Sequence, residues 1–477
     1  MRPCPLLVSV FALGLSTAVA CASGNTGSSR AEPAKALLPV VDASWRAHGW
    51  HAVVPHAFVV RKLLAVRTAP RPDAPLAFYL KGGTRIPVVD QGLKWWRISW
   101  TEGRTGWVPV RDVEPHAAFV LIDAHSGRMV QRIAAKGQWG AVSDGASLWS
   151  IANTGITRTL LGTRPAIWSK AVAADRDALF PDWSVWNPER SRFYLRAGGA
   201  EQGALLRTNV LTGEIRTVGT PPPGELAGLT PSGAMILDGA GEDGELAHLY
   251  APDRKRSIRR IAGDVQAVTR SGVTFLKRGK RLVRLDSQLH ATAQVGLPDD
   301  VQGVCLSADE RYVAASYETT SATGEVPVRV RIFNARTLRP VLTLSLPKGS
   351  YCPYLRGLGY WEGGWWVASG GEGEFELAAR FRRDGRLLKF WEGLAPSAIS
   401  ADGTHLYMLG EGGIASIQPV TGRRQVFPFM WRRTLPAQFL PKPSEFGSTH
   451  LDASSLTLTP NGKTLILTEW LNGDPAG

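Results

Sequence analysis

Leu229-Thr230-Pro231-Ser232-Gly233 runs straight into the apolar stretch Ala234-Met235-Ile236-Leu237. The same cassette returns as Ile399-Ser400-Ala401-Asp402-Gly403 before Leu406 to Leu409, and as Leu458-Thr459-Pro460-Asn461-Gly462 before Leu465 to Thr468. In each copy an apolar strand stops at Ser or Thr, a turn closes on Gly, and a second strand begins. A strand-turn-strand unit cannot bury both of its faces alone, so many copies must pack side by side. The repeat predicts an all-β chain with a β-propeller over residues 115–477.

Further cues for a turn between the first and second strands of a sheet fall at Ser143-Asp144-Gly145, Asn187-Pro188-Glu189, Thr269-Arg270-Ser271-Gly272, Ser307-Ala308-Asp309-Glu310 and Trp361-Glu362-Gly363-Gly364. Cues for an outer hairpin interleave with them: Leu211-Thr212-Gly213-Glu214, Asn334-Ala335-Arg336-Thr337, Arg383-Asp384-Gly385-Arg386 and Val420-Thr421-Gly422-Arg423. The series resembles the blades of WD-repeat, YVTN-type and quinoprotein-like bacterial propellers. Near Pro460 the last inner cue has no outer hairpin after it, whereas Phe119 to Asp123 and Ser126 to Ile133 form an outer hairpin with no inner cue before it. Joining the two makes one blade from both ends and removes the exposed sheet edges an open array would leave. The cues at Asp144 and Trp361 also fit irregular turns, so the count is seven blades, with eight as the alternative.

Composition agrees with many short strands joined by turns: 44% hydrophobic residues, 51 Gly and 32 Pro scattered without a period. The formal net charge of +14 favours anionic partners. Much of it sits in turns, including Arg254, Lys255, Arg256, Arg259 and Arg260, where solvated loops are the simpler reading. The 17 Trp require either burial or a stacking surface.

Between residues 57 and 114 the pattern changes. Leu64-Ala65-Val66-Arg67-Thr68-Ala69-Pro70, Phe78-Tyr79-Leu80-Lys81-Gly82-Gly83-Thr84, Trp95-Trp96-Arg97-Ile98 and Gly106-Trp107-Val108 follow in order. Alternation turns Leu64, Val66, Ile86, Val88, Trp96 and Ile98 inward on a bent sheet, and Gly82 and Gly106 are expected at tight turns. In order and spacing the segment resembles the bacterial SH3-like domain, with Ala65 and Ala69 where that family has Asn and Gly. The resemblance implies a groove for cell-wall peptides or other short extended ligands, with Tyr79, Trp95, Trp100 and Trp107 as candidate binding residues; the alternative is that Trp96 and Trp107 are core and the barrel is only a spacer.

Residues 1–20 read as an export signal: Met1 and Arg2, an apolar run from Leu6 to Val19, then Ala18-Val19-Ala20-Cys21. The tetrapeptide resembles the bacterial lipoprotein box, which implies that Cys21 becomes an acylated N-terminus carrying chains such as palmitate. It also fits an Ala-x-Ala cleavage site, in which case the product is periplasmic or secreted. Residues 21–56 are then a lipid-anchor tether and lead-in. Ala22 and Ser23 after the cysteine lack the acidic residue associated with inner-membrane retention, and this implies the outer membrane.

Cys305 and Cys352 are either one disulfide or buried thiols. His48, His51 and His56 have no Cys or carboxylate completing a ligand set, so a lead-in segment is expected there and no metal. No Gly-x-Ser-x-Gly elbow, His-Glu-x-x-His or phosphate-cradling Gly-rich loop occurs, and no cofactor is implied. Ser400 to Tyr407 superficially resembles the Asp-box of sialidases but equally fits the blade turn. The acidic turns 242–245 and 372–376 read as solvated rather than as calcium loops. Trp183, Trp186, Trp361, Trp365 and Trp366 are expected as wedges between blades.

The expectation is a non-enzymatic binding or scaffolding protein of the bacterial envelope. Its partner would be an envelope protein or peptidoglycan or another glycan; it would meet the membrane through the lipid and bind no nucleic acid. The alternative is a propeller-fold hydrolase or lyase acting on envelope glycans.

Overall fold

A computed structural model describes residues 43–472, apart from short connecting stretches and longer ones at 173–178, 319–327, 348–354, 370–376 and 429–449. Seven runs of four consecutive strands each form one antiparallel sheet in chain order, at 139–171, 179–219, 225–262, 264–296, 301–345, 355–392 and 396–428. An eighth sheet takes its strands from both ends, in the order Met129–Ala135, Ala117–Asp123, Thr464–Asn472, His450–Leu458. There Leu465 lies opposite Ile122 and Leu467 opposite Val120, the joined sheet that the unpaired cues anticipate. The first strand of every sheet touches the first strand of the next, and the Trp139–Ser143 strand touches His450–Leu458, so the series of contacts closes on itself. The described residues thus hold eight such sheets, where the cues count seven with eight as the alternative. Both ambiguous cues, at Asp144 and Trp361, fall between the first and second strands of a sheet.

The recurring turn has a chemical basis. Thr230, Thr269, Ser307, Ser400 and Thr459 each accept, through the side-chain oxygen, the backbone N–H that opens the second strand, at 2.8–3.1 Å. At the second position after it a polar side chain meets the same hydroxyl: Ser232, Ser271, Asp309 and Asn461, at 2.6–2.9 Å. The closing residue needs a left-handed backbone, supplied by Gly233, Gly272 and Gly462 at φ 82°, 77° and 69°, and by Glu310 at 58°. The Asp-box-like stretch at Ser400 is one of these turns; residues 401–404 lie outside the described residues.

Adjacent sheets face each other across apolar layers. Trp365, Phe381, Val330 and Ile332 fill one such layer, and Trp366, Trp391, Met408 and Ile417 the next. Trp365 and Trp366 are therefore wedges, on opposite faces of one strand, and each buried side chain of this kind contributes roughly 1.5–3 kcal/mol. The side chains of Trp183, Trp186 and Trp361 lie outside the described residues, as do most of the acidic turns at 242–245 and 372–376.

Ahead of the ring the chain forms β1 (His51–Ala52), β2 (His56–Val59), β3 (Leu63–Arg67), β4 (Leu76–Lys81), β5 (Arg85–Gln91), β6 (Trp95–Ser99), β7 (Thr105–Pro109) and β8 (Val113–Pro115). Strands β2 to β8 make one sheet, in the order β4-β3-β7-β6-β5-β2-β8, around a core that contains all six side chains expected to point inward. Gly82 lies in the tight turn between β4 and β5, as expected, but the role of Gly106 differs. Gly106 lies within β7, where a Cβ would stand 2.3 Å from Val66 Cγ1, so its lack of a side chain serves strand packing. The left-handed turn residue is Gly83, at φ 78°.

The lead-in is docked rather than simply a tether. A helical turn at 43–47 and β1 lie against the 139–171 sheet, with β1 pairing the strand Ala166–Ala171 as a fifth strand. Trp45 and Trp50 are buried with Trp149, and their indole N–H groups donate to the carbonyls of Leu211 and Gly213 at 3.3 and 2.6 Å. The guanidinium of Arg158 stacks over Trp45 and Trp149.

Candidate ligand-binding site

The outward face of the small sheet carries most of the aromatic residues singled out from sequence. Antiparallel partners share a face, and the register places Tyr79 (β4) beside Ala65 (β3), Arg67 (β3) beside Trp107 (β7), Trp107 beside Arg97 (β6), and Trp95 (β6) beside Pro109. Tyr79 is 56% exposed, Arg97 exposed, and Trp95, Trp107 and Arg67 half-buried, while Trp96 on the opposite face is fully buried. Trp100 does not join this row: it packs partly buried against the core with Phe78 and Val110. Three of the four candidate residues thus share this face, and the fourth lies apart from them.

Arginines separate the aromatics. Arg97 donates to Thr105 Oγ1 at 3.1 Å, and Arg67 to the Ala74 carbonyl at 3.0 Å. These bonds fix the ends of the two arginine side chains. Past Tyr79 the face runs into a cleft of about 840 Å³ lined by Arg61, Lys62, Leu63, Lys81 and Gly82. Chemically, the surface offers flat rings for stacking and cations for carboxylates or phosphates along an extended line. The cationic partners were not singled out in the sequence; period-2 alternation from Leu64 and Val66 could have placed Arg67 and Arg97 on the ring-bearing face.

This sheet is joined to the ring by buried polar contacts. The side-chain amide of Gln91 grips the backbone of Ala134, accepting from its N–H at 2.6 Å and donating to its carbonyl at 3.2 Å. Beside it, Arg132 forms a bidentate pair with Glu114 and a further bond of 3.0 Å to Glu469, all three side chains being buried. Burial opposes the charge on Arg132, but Glu114 and Glu469 more than offset it and hold the guanidinium ionised. Charged groups in such a place persist only when paired.

A second polar group lies at the seam of the 225–262 and 264–296 sheets. Burial pushes the Asp238 carboxyl up to about 7, and the carboxyls of Asp264 and Glu225 add to the shift. Its Oδ1 accepts the Val265 N–H at 3.1 Å, which partly opposes the rise. Among the described residues no group of three His, Cys, Asp or Glu side chains is arranged to hold a metal ion. Cys305 is buried on an inner strand, and Cys352 and Cys21 lie outside the described residues. No helix among the described residues is long and apolar enough to cross a membrane.

No protein-family model matches the chain, and no curated protein matches it. Solved structures similar to it include the dihydro-heme d1 dehydrogenase NirN, at 9% identity and a TM-score of 0.44 over 65% of this chain and 72% of that one. Hsv2 of Kluyveromyces lactis is similar at 11% identity and a TM-score of 0.36, over 68% and 94%. A protein from Lactobacillus plantarum gives 11%, 0.35, 71% and 96%.

Proposed function

We propose that the chain is an exported binding or scaffolding protein of the bacterial envelope. In this reading residues 57–114 are an SH3-like domain that contacts the cell wall, and residues 115–477 are a closed eight-bladed propeller that presents a face to an envelope protein or glycan. A lipid on Cys21 ties the assembly to the membrane, with the outer membrane favoured.

The observation that supports this best is the row Tyr79, Trp107 and Trp95 with Arg67 and Arg97, displayed on a sheet that Gln91, Glu114 and Arg132 fasten to the ring. Stacking rings alternating with cations suit an extended ligand that carries sugar rings or carboxylates. A fixed sheet holds that ligand at a set distance and angle from anything bound on the ring. The test is co-sedimentation of the mature chain with insoluble peptidoglycan. Trp95→Ala with Trp107→Ala should lower the retained fraction at least tenfold while leaving the melting temperature within about two degrees, since half-exposed surface substitutions cost little. Equal retention of both proteins would remove the cell-wall role.

One observation favours the alternative of a hydrolase or lyase acting on glycans. Burial holds the Asp238 carboxyl up to about 7, with the carboxyls of Asp264 and Glu225 adding to the rise, and a carboxyl raised in this way suits general acid work. Release of reducing sugars from envelope glycan, abolished by Asp238→Asn, would support it over the binding role.

A further inference from the structure

Between the exit of the 179–219 sheet over Thr220 to Pro223 and the outer strands of the 225–262 sheet lies a cleft of about 530 Å³. Its charged and aromatic lining consists of hydrogen-bond donors: Tyr250, His248, Lys255, Arg256 and Arg260, with no carboxylate among the described residues that line it. Asp253, close by in sequence, is drawn toward the preceding sheet, with its Oδ1 2.7 Å from Arg207 and 3.7 Å from Arg192. That pairing seats the turn Pro252–Arg254 and delivers Lys255, at φ 52°, to the cleft.

Two of the donors are buried without a protein partner. Tyr250 is 1% and His248 6% exposed, yet neither Tyr250 Oη nor His248 Nδ1 has a hydrogen-bonding group within reach. Leaving such an atom unpaired is costly, and native folds keep few of them. Here they sit together, under three cations. Gly219, at φ 129°, closes the floor: a Cβ there would stand 2.5 Å from Tyr250 Oη and 3.3 Å from Lys255 Cβ. The hydroxyl and the Lys255 stem thus both abut Gly219 at the floor of the cleft.

We propose that this cleft binds the phosphate ester of a small, sugar-sized molecule, with Lys255, Arg256 and Arg260 neutralising the oxyanion, Tyr250 and His248 donating to it from the floor, and Pro221 to Pro223 forming a rigid wall for the body of the ligand. An acceptor-only group with several oxygens matches a lining of donors, and a doubly charged one matches three cations. The volume exceeds what a bare phosphate fills. Burial raises the Tyr250 hydroxyl and lowers His248, the latter with help from Arg260, so near neutral pH both are neutral and each keeps an N–H or O–H to donate. The basic turn at 254–260, which in sequence reads as solvated loop, thereby gains a role.

The experiment is titration calorimetry on the mature chain with glucose 6-phosphate, inorganic phosphate and glucose, and flotation with vesicles of phosphatidic acid or of phosphatidylcholine. Saturable binding of glucose 6-phosphate, weaker binding of phosphate and none of glucose are expected, with affinity falling as salt is added. Tyr250→Phe should weaken glucose 6-phosphate about tenfold and Lys255→Gln at least as much, with no loss of melting temperature in either and a rise in the former, where the unpaired hydroxyl is gone. Flotation with phosphatidic acid alone, lost in both variants, would support the site and identify its phosphate as a lipid headgroup. No saturable binding of any phosphate, or binding that both variants leave intact, would overturn the proposal. Trp95→Ala with Trp107→Ala should leave this binding unchanged, so failure of the wall-binding role and failure of this one are separable.

Discussion

At the scale of single residues, Asp238 controls a pH dependence. In the unfolded chain an aspartate titrates near ~3.9; in the folded protein this one is held up to about 7. Between those values the folded state keeps a proton that the unfolded state has lost, so stability falls as pH rises through that window and levels off above it. Asp238→Asn keeps the acceptor for Val265 N–H and removes the titration. Relative to the parent, the variant should gain on the order of 1 kcal/mol between pH 5 and pH 8, a figure reduced for the partial exposure of the carboxyl. Thermal melts at a series of pH values check it, and a difference that does not change with pH would refute the assignment. Nothing around Asp238 in the sequence announced this, because Asp264 belongs to the next sheet.

The strands and turns were the most legible scale. The Ser or Thr ending five of the first strands was visible as a repeated letter, and its work is visible as a hydrogen bond to the opening N–H of the second strand. Thr269→Val keeps the shape and removes that acceptor, so it should cost about 1 kcal/mol, read as a lower denaturant midpoint with an unchanged slope. Thr269→Ser should retain most of the stability. Where the reading erred, as at Gly106, it took a glycine for a turn when the requirement was contact: Val66 approaches from a strand about forty positions earlier in the chain. A local pattern distinguishes these uses poorly, since both need only the absence of a Cβ.

Over the whole molecule, the joint between the small sheet and the ring is made by Glu114, Arg132 and Glu469, from three separate parts of the chain. Removing one member of a buried ionic group leaves the others unpaired, so Arg132→Met alone should cost about 3–5 kcal/mol. Replacing all three by apolar residues of similar volume should recover most of that loss. Limited proteolysis near residue 116 together with thermal melts distinguishes the outcomes. A harmless Arg132→Met would mean that the joint is held by Gln91 and apolar packing instead.

The sequence by itself determined the all-β class, the recurring turn, the pairing of the chain's two ends in one sheet and the inward side chains of the small sheet. These follow from period-2 burial and from turns that require particular short side chains, both of which act within a few residues. Only the tertiary structure decided that Trp45 and Trp50 dock on the 139–171 sheet, that Arg132 meets Glu469 across 337 positions, and that Tyr250 and His248 share a cleft with Lys255. Those meetings depend on how strands and loops are brought together in three dimensions, and no spacing of letters encodes the resulting distances between side chains.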